Sequence, residues 1–162
     1  MDFASRIKRL PRAYDSDRGA ESRASLPMFS GDLAVEQKFG RSWASWENAL
    51  ASIHSTGTSG ESPGDYARAF ARLENHYFIN NGFLEFDGQI LANMGRISHI
   101  PGVIVQGRYD MICPPTSAWK ISELWPECEL MMVRNAGHAL SEPGISAELV
   151  RVMNSIGREA LA

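Results

Sequence analysis

The stretch from Pro101 to His138 constrains the fold of this chain more than any other. It opens with a short β-branched run, Val103-Ile104-Val105, bounded by proline and glycine, which is typical of a buried parallel strand. Pro114-Pro115 then begins a helix with apolar residues at helical spacing, and residues 129–134 form the next strand-like run. A strand–helix–strand unit of this length predicts a parallel crossover within an α/β fold.

Two side chains with acid–base chemistry follow these two strands. Asp110 comes just after the first strand and His138 just after the second. Parallel strands bring their carboxyl ends to one edge of the sheet, where open α/β sheets place their sites. A carboxylate that orients an imidazole is the acid–base part of a Ser-His-Asp triad, and Asp before His is the chain order of α/β-hydrolases. From spacing alone, a turn or capping role for Asp110 stays open.

Several short motifs are specific enough to compare with known families. Between residues 100 and 138 they are Ile100-Pro101-Gly102-Val103-Ile104-Val105, Gly107-Arg108-Tyr109-Asp110, Cys113-Pro114, Ser117-Ala118-Trp119, Trp125-Pro126 and Gly137-His138. Upstream they are Trp43-Ala44-Ser45-Trp46-Glu47 and the decapeptide of residues 69–78. Together they closely resemble the cap and the carboxyl-terminal part of proline iminopeptidases, which are prolyl aminopeptidases of the α/β-hydrolase fold. The resemblance extends over residues 33–157.

The nucleophile of that family has no counterpart in the sequence. Family members carry their serine in a G-x-S-x-G turn that follows a strand, ahead of the cap. The one string of that form, Gly60-Glu61-Ser62-Pro63-Gly64, lies inside the predicted cap region, in a Gly-Ser-Thr loop that follows no strand. The strings Gly57-Thr58-Ser59-Gly60 and Gly144-Ile145-Ser146 break the pattern. The resemblance therefore implies the second half of an enzyme. We expect it to be inactive alone, with the missing amino-terminal half as its partner.

The order of these patterns divides the chain into three parts. Residues 1–31 are polar and interrupted by proline and glycine, which predicts a loose approach segment. The resemblance implies a helical cap region over residues 32–98. It implies the carboxyl-terminal part of an α/β-hydrolase catalytic domain over residues 99–162. The predicted fold class is thus α/β, a helical cap segment followed by the last two parallel strands and their helices.

Four helices are expected around the two strands. Asp32 is a suitable N-cap for the first, whose buried stripe comprises Val35, Phe39, Trp43, Trp46, Leu50 and Ile53. Ser62-Pro63-Gly64-Asp65 has the form of a capping box with proline at the first helical position, and begins a second helix carrying Tyr66, Phe70, Leu73 and Tyr77. A short helix is predicted over residues 89–97. The last has Ile145, Leu149, Val152 and Ile156 on one face.

Two glutamates are the candidate substrate-binding residues. Glu74 falls between Phe70 and Phe78, and a carboxylate among aromatic rings is partly desolvated, so it requires a cation or hydrogen-bond donors. Glu47 lies at the edge of the first helix's stripe, where periodicity alone favours a solvated side chain. The resemblance implies that both glutamates bind the free amino group of the substrate. A secondary ammonium with two N–H donors suits paired carboxylates.

The composition limits the partners and the compartment. A formal net charge of −3 with scattered lysines and arginines predicts no nucleic-acid partner. No apolar run approaches the roughly 20 residues that span a bilayer, so we expect a cytoplasmic protein without a membrane partner. Cys113 and Cys128 match no metal or redox spacing and are predicted to be free thiols. Because only two strands are evident, their apolar side chains are expected to be poorly covered.

The resemblance implies acyl transfer that releases an amino-terminal proline from peptides. A serine would attack the carbonyl, His138 would carry the proton and Asp110 would orient His138, with no metal or organic cofactor. His54, His76 and His99 share no metal-ligand spacing, so no metal site is predicted. Two alternatives remain open. One is another α/β-hydrolase, such as an esterase or epoxide hydrolase, without the amine pocket. The other is a truncated, non-catalytic product that binds a peptide or a partner half.

Overall fold

The computed structural model describes residues 27–53 and 63–160. In chain order its elements are α1 (Leu33–Ala51), α2 (Gly64–Phe78), α3 (Gln89–Ala92), β1 (Gly102–Gly107), α4 (Pro115–Glu123), β2 (Cys128–Val133) and α5 (Pro143–Ala160). Short 3-10 turns lie at Pro27–Phe29, Asn81–Phe83 and Met94–Arg96.

These elements form two compact units. The first comprises residues 27–47 and 63–85, and the second comprises residues 48–53 and 86–160. Most of the predicted approach segment, as well as His54 and Ser62, lies outside the described residues. The division into residues 1–31, 32–98 and 99–162 stays a prediction.

The second unit contains the parallel crossover that the sequence predicts. Strands β1 and β2 pair in parallel, in register from Gly102 with Cys128 to Gly107 with Val133. Helix α4 connects them and begins with Pro115 in its first turn, where a missing N–H costs no helical hydrogen bond. The fold class is therefore confirmed at the level of helices with two parallel strands.

The strands are only partly covered. The apolar side chains Val103, Ile104, Val105, Met131, Met132 and Val133 are all half-buried. The buried apolar residues described for this unit lie outside the two strands, at Met94, Ala118, Ala136, Ile145 and Val152. The expected poor cover of this strand pair is thus seen among the described residues.

The first unit is built on the close approach of α1 and α2. Asp32 caps α1 as predicted, because its Oδ1 accepts hydrogen bonds from the backbone N–H groups of Ala34 and Val35, at 2.9 and 3.2 Å. Gly40 allows the two helix backbones to meet, since a Cβ there would lie 2.8 Å from the backbone nitrogen of Arg68. The small core of this unit consists of Met28, Trp43 and Ala71.

The large side chains of α2 are mostly exposed. The helix buries Ala67, Ala71 and Asn75, whereas the side chains of Tyr66, Leu73 and Tyr77 are at least half exposed. The backbone contact at Gly40 leaves room only for small residues on the facing side of α2, so the bulky residues lie elsewhere. Pro63 is the N-cap of α2 rather than its first helical residue.

Three smaller predictions also need correction. Ile53 lies beyond the end of α1 and is 43% exposed, so it does not extend the buried stripe. The helix predicted over residues 89–97 is broken at Asn93, whose φ of −103° and ψ of 7° are not helical, and continues as a 3-10 turn. On α5, Ile145 and Val152 are buried, but Ile156 is exposed.

Candidate active site

Asp110 is held by the turn that follows β1. Its Oδ1 accepts hydrogen bonds from the backbone N–H groups of Ile112 and Cys113, at 2.9 and 2.7 Å. This arrangement is an Asx turn, in which the carboxylate replaces a backbone acceptor. The side chain is only 6% exposed. The turn therefore orients one carboxylate oxygen and leaves Oδ2 for another partner.

His138 is that partner. It follows β2, and its Nδ1 lies 3.0 Å from Asp110 Oδ2. A carboxylate accepts but does not donate, so the proton of a neutral imidazole at this contact belongs on Nδ1. Nε2 is then an acceptor, on a ring that is 40% exposed. This geometry is the one that a general base with an orienting acid requires.

Close backbone contact between the two strand ends brings Asp110 and His138 together. Gly107, the last residue of β1, lies against the carbonyl group of Gly137, and a Cβ at Gly107 would overlap that oxygen. The backbone N–H of Tyr109 donates to Ala136 O at 3.0 Å. The pairing of acid and base thus depends on glycine at position 107 as well as on the sheet register.

The backbone of the His138 loop is anchored to residues 51 and 53. The N–H groups of His138 and Ala139 both donate to Ala51 O, at 2.8 and 2.7 Å. In the reverse direction, the N–H of Ile53 donates to Oε1 of the buried Glu142 at 2.8 Å. Sequence reasoning missed this anchor, because the partners are more than 80 residues apart.

Gln106 is a further site residue that sequence reasoning missed. It is buried on β1, and its Nε2 lies 3.2 Å from Asp110 Oδ2. The available signal was a polar side chain inside an otherwise apolar strand, because a buried amide requires hydrogen-bond partners.

The two candidate substrate-binding glutamates lie in the first unit, around Trp43. The indole Nε1–H of Trp43 donates to Glu74 Oε2 at 2.6 Å. Glu47 lies one turn after Trp43 on α1 and is 7% exposed, so the solvated side chain favoured by periodicity is wrong. The rings of Trp46 and Phe78 lie 5.6 and 6.1 Å from that of Trp43. The first unit therefore places the Glu74 carboxylate against Trp43 and buries Glu47 on the same helix as that ring.

Neither a metal centre nor a membrane span is found in the described ranges. No group of three His, Cys, Asp or Glu side chains within residues 27–53 and 63–160 is arranged to hold a metal ion. No helix in this part of the chain has both the length and the apolar content to cross a bilayer. Cys113 and Cys128 form no disulfide in this part of the chain.

A parallel strand–helix–strand unit with Asp and His after its two strands is typical of α/β-hydrolases. Comparison with known proteins points to one group. The chain is 46% identical to proline iminopeptidase of Arabidopsis thaliana over 123 residues, which is 75% of this chain and 32% of that protein. It is 45% identical to a probable proline iminopeptidase of Leptolyngbya boryana and 44% identical to proline iminopeptidase of Neisseria gonorrhoeae, over 38% and 41% of those proteins.

The chain is thus related in sequence to part of the proline iminopeptidases, which confirms the resemblance seen in its motifs. It spans about a third to two-fifths of the length of these curated relatives. No family model matches the chain.

Proposed function

We propose that this chain carries the acid–base pair and the amine-binding carboxylates of a serine peptidase that releases amino-terminal proline from peptides. The observation that carries the proposal is the contact of 3.0 Å between Asp110 Oδ2 and His138 Nδ1, with Oδ1 held by two backbone N–H groups. The names of the relatives supply the substrate class.

In this proposal, His138 is the general base and Asp110 is its positioning residue. Nε2 of His138 removes the proton from a serine hydroxyl as that oxygen attacks the proline carbonyl. The negative charge of Asp110 stabilises the imidazolium that forms, and His138 then returns the proton to the leaving amine. The serine is proposed to lie in the part of the relatives' length that this chain does not span.

The proposed amine site consists of Glu47 and Glu74. A substrate with an amino-terminal proline presents a secondary ammonium with two N–H donors and a flat apolar ring. Two carboxylates can accept those two hydrogen bonds, and aromatic side chains such as Trp43 suit the pyrrolidine ring. Since the indole of Trp43 already fixes Oε2 of Glu74, the other oxygen of that carboxylate is the one proposed to meet the ammonium.

A chimeric enzyme tests the proposal. The segment of the Neisseria gonorrhoeae relative that this chain matches is replaced by this chain, and hydrolysis of proline p-nitroanilide is measured. The relative itself is the positive control, and the 162-residue chain alone is expected to show no hydrolysis.

Two further substrates separate the alternatives. The proposal expects cleavage of proline p-nitroanilide but not of its N-acetylated form, because acetylation removes the ammonium. Cleavage of p-nitrophenyl acetate alone would instead indicate a hydrolase without the amine site. A folded chimera that cleaves neither substrate would favour a non-catalytic binding role.

A further inference from the structure

We propose that Gln106 is a positioning residue for the Asp110–His138 pair. Its consequence for catalysis rests on the proposed function, but its effect on the two side chains does not.

The hydrogen bonds of Gln106 determine how its amide group is oriented. Nε2 lies 3.2 Å from Asp110 Oδ2, 3.1 Å from Gly107 O and 3.2 Å from Cys113 O. All three neighbours are acceptors, so the amide nitrogen and not the oxygen must face them. The side-chain amide nitrogen of Gln106 thus connects Gly107 at the end of β1, the Asp110 carboxylate and the backbone of Cys113.

This contact completes the support of the Asp110 carboxylate. The backbone N–H groups of Ile112 and Cys113 hold Oδ1 alone. Oδ2 receives Gln106 on one side and faces His138 Nδ1 on the other. Without Gln106, Oδ2 would keep only the imidazole as a partner, and the two bonds to Oδ1 would have to fix the carboxylate from one side. Gln106 therefore keeps Oδ2 aimed at His138 before any substrate binds.

The burial of Gln106 makes the contact effective. The residue is 9% exposed and Asp110 is 8% exposed. Water competes poorly at such a position, and a hydrogen bond to a charged group is stronger there than at the surface. The donor is also neutral, so it orients the carboxylate without cancelling the charge that His138 requires.

The tautomer of His138 distinguishes positioning from a purely structural role. Long-range ¹H–¹⁵N NMR spectra of the 162-residue chain report which ring nitrogen of His138 carries the proton. The wild-type chain should show Nδ1–H as the major form. The change Gln106→Met keeps the length of the side chain but removes its donors, and the fraction of Nδ1–H should then fall because the carboxylate is aimed less firmly at His138. Gln106→Glu adds a like charge and should cause at least the same loss.

Gln37 supplies the matched control. Its Nε2 also donates to a carboxylate, Asp65 Oδ1 at 2.9 Å, but in the first unit and at an exposed position. Gln37→Met should leave the His138 tautomer unchanged. An unchanged Nδ1–H fraction in folded Gln106→Met, or Nδ1–H as the minor form in the wild-type chain, would overturn the inference.

A second measurement on the wild-type chain applies even if both Gln106 variants fail to fold. The side-chain amide protons of Gln106 should exchange with solvent at least tenfold more slowly than those of Gln37, because they are buried and hydrogen-bonded. Equal exchange rates would overturn the inference. Neither readout requires hydrolysis, so an inactive chimera would count against the proposed function and leave the role of Gln106 standing.

Discussion

Two of the buried carboxylates have very different surroundings, Glu36 in the first unit and Asp110 in the second. Glu36 is 1% exposed and forms ion pairs with Arg68 at 2.5 Å and Arg72 at 2.7 Å. The backbone N–H of Gly31 also donates to it, at 3.0 Å. Among the contacts of the described residues, Asp110 has neutral donors and the imidazole of His138 instead.

The difference separates a structural acid from a candidate functional one. Burying a carboxylate costs free energy unless donors or cations replace water. At Glu36, the guanidinium groups of Arg68 and Arg72 replace water and neutralise the negative charge. Because Glu36 lies on α1 and both arginines lie on α2, these ion pairs join the two helices. At Asp110, neutral N–H groups meet part of the requirement and the negative charge remains for His138. Burial alone therefore does not distinguish a candidate catalytic carboxylate from a structural one. The charge of its hydrogen-bond donors does, since those of Glu36 include two cations and the N–H donors of Asp110 are neutral.

Asp110→Asn tests the functional side of the comparison and should have the largest effect. The amide still accepts from Ile112 and Cys113 at one end but presents N–H groups to His138, which favours the wrong tautomer. We expect kcat of the chimeric enzyme to fall by a factor on the order of 10³ to 10⁴, with little change in Tm. Steady-state kinetics with proline p-nitroanilide measure the effect.

Histidine variants give the matched control for that experiment. His138→Ala should cause a loss of similar size, whereas His99→Ala, at an exposed position, should not change kcat. Substantial turnover by His138→Ala would exclude His138 as the base.

Glu74→Gln tests a third carboxylate, which is half-buried rather than buried. Its one hydrogen bond among the described residues comes from Trp43, and Gln can accept that bond equally well. Stability should therefore change little, but the substrate ammonium would lose an ionic partner. We expect KM for proline p-nitroanilide to rise about tenfold with a smaller change in kcat. The exposed Glu123→Gln should alter neither constant, and an unchanged KM in Glu74→Gln would contradict the amine-binding role.

Glu36→Gln tests the structural side. The neutral amide leaves Arg68 and Arg72 without an ionic partner, so Tm should fall by several degrees. Once the chimeric enzyme is folded, its kcat should not change. Thermal unfolding followed by circular dichroism measures the first effect, and the p-nitroanilide assay measures the second. A loss of kcat without a loss of Tm would reverse the assignment of Glu36.

The dependence of stability on pH gives the smallest expected effect. The backbone N–H of Gly31, followed by Arg68, lowers the pKa of Glu36 below its ordinary value of 4.5. A lowered pKa means that the folded state binds this proton less readily than the unfolded state does. The stabilisation is therefore complete above pH 4.5 and is lost as the pH falls through the lowered pKa. Tm measured from pH 6 to pH 3 should fall less steeply in Glu36→Gln than in the wild-type chain, and parallel curves would contradict this.

Local patterns predicted much of the second unit correctly. Proline and glycine bound β1, Pro115 begins α4, and the apolar run of β2 follows, so both strands and their parallel pairing could be expected. The positions of Asp110 and His138 follow from that order, because each lies just after a strand. Their catalytic roles remain predictions.

Contacts between distant segments were much less predictable. The periodicity of α2 indicated which side chains are apolar, but not that Gly40 would bring Ala67 close and leave Tyr66 and Leu73 exposed. The burial of Glu36 depends on arginines more than 30 residues away. Such contacts depend on how closely two helices approach each other. The sequence of one helix does not indicate how near the backbone of the other will lie.

The sequence alone determined the order of strand, helix and strand. It also determined that Asp110 and His138 each follow a strand. Both results come from side-chain spacing and hydrogen bonding within short segments, which are local. Only the tertiary structure decided that Gln106 holds the acid and that Ala51 O anchors the loop of the base. It also decided which carboxylate is neutralised. The anchor at Ala51 and the ion pairs of Glu36 join atoms far apart in the chain, and their distances are set when the elements pack. Gln106 and Asp110 are only four residues apart, but their contact depends on how the turn after β1 folds back.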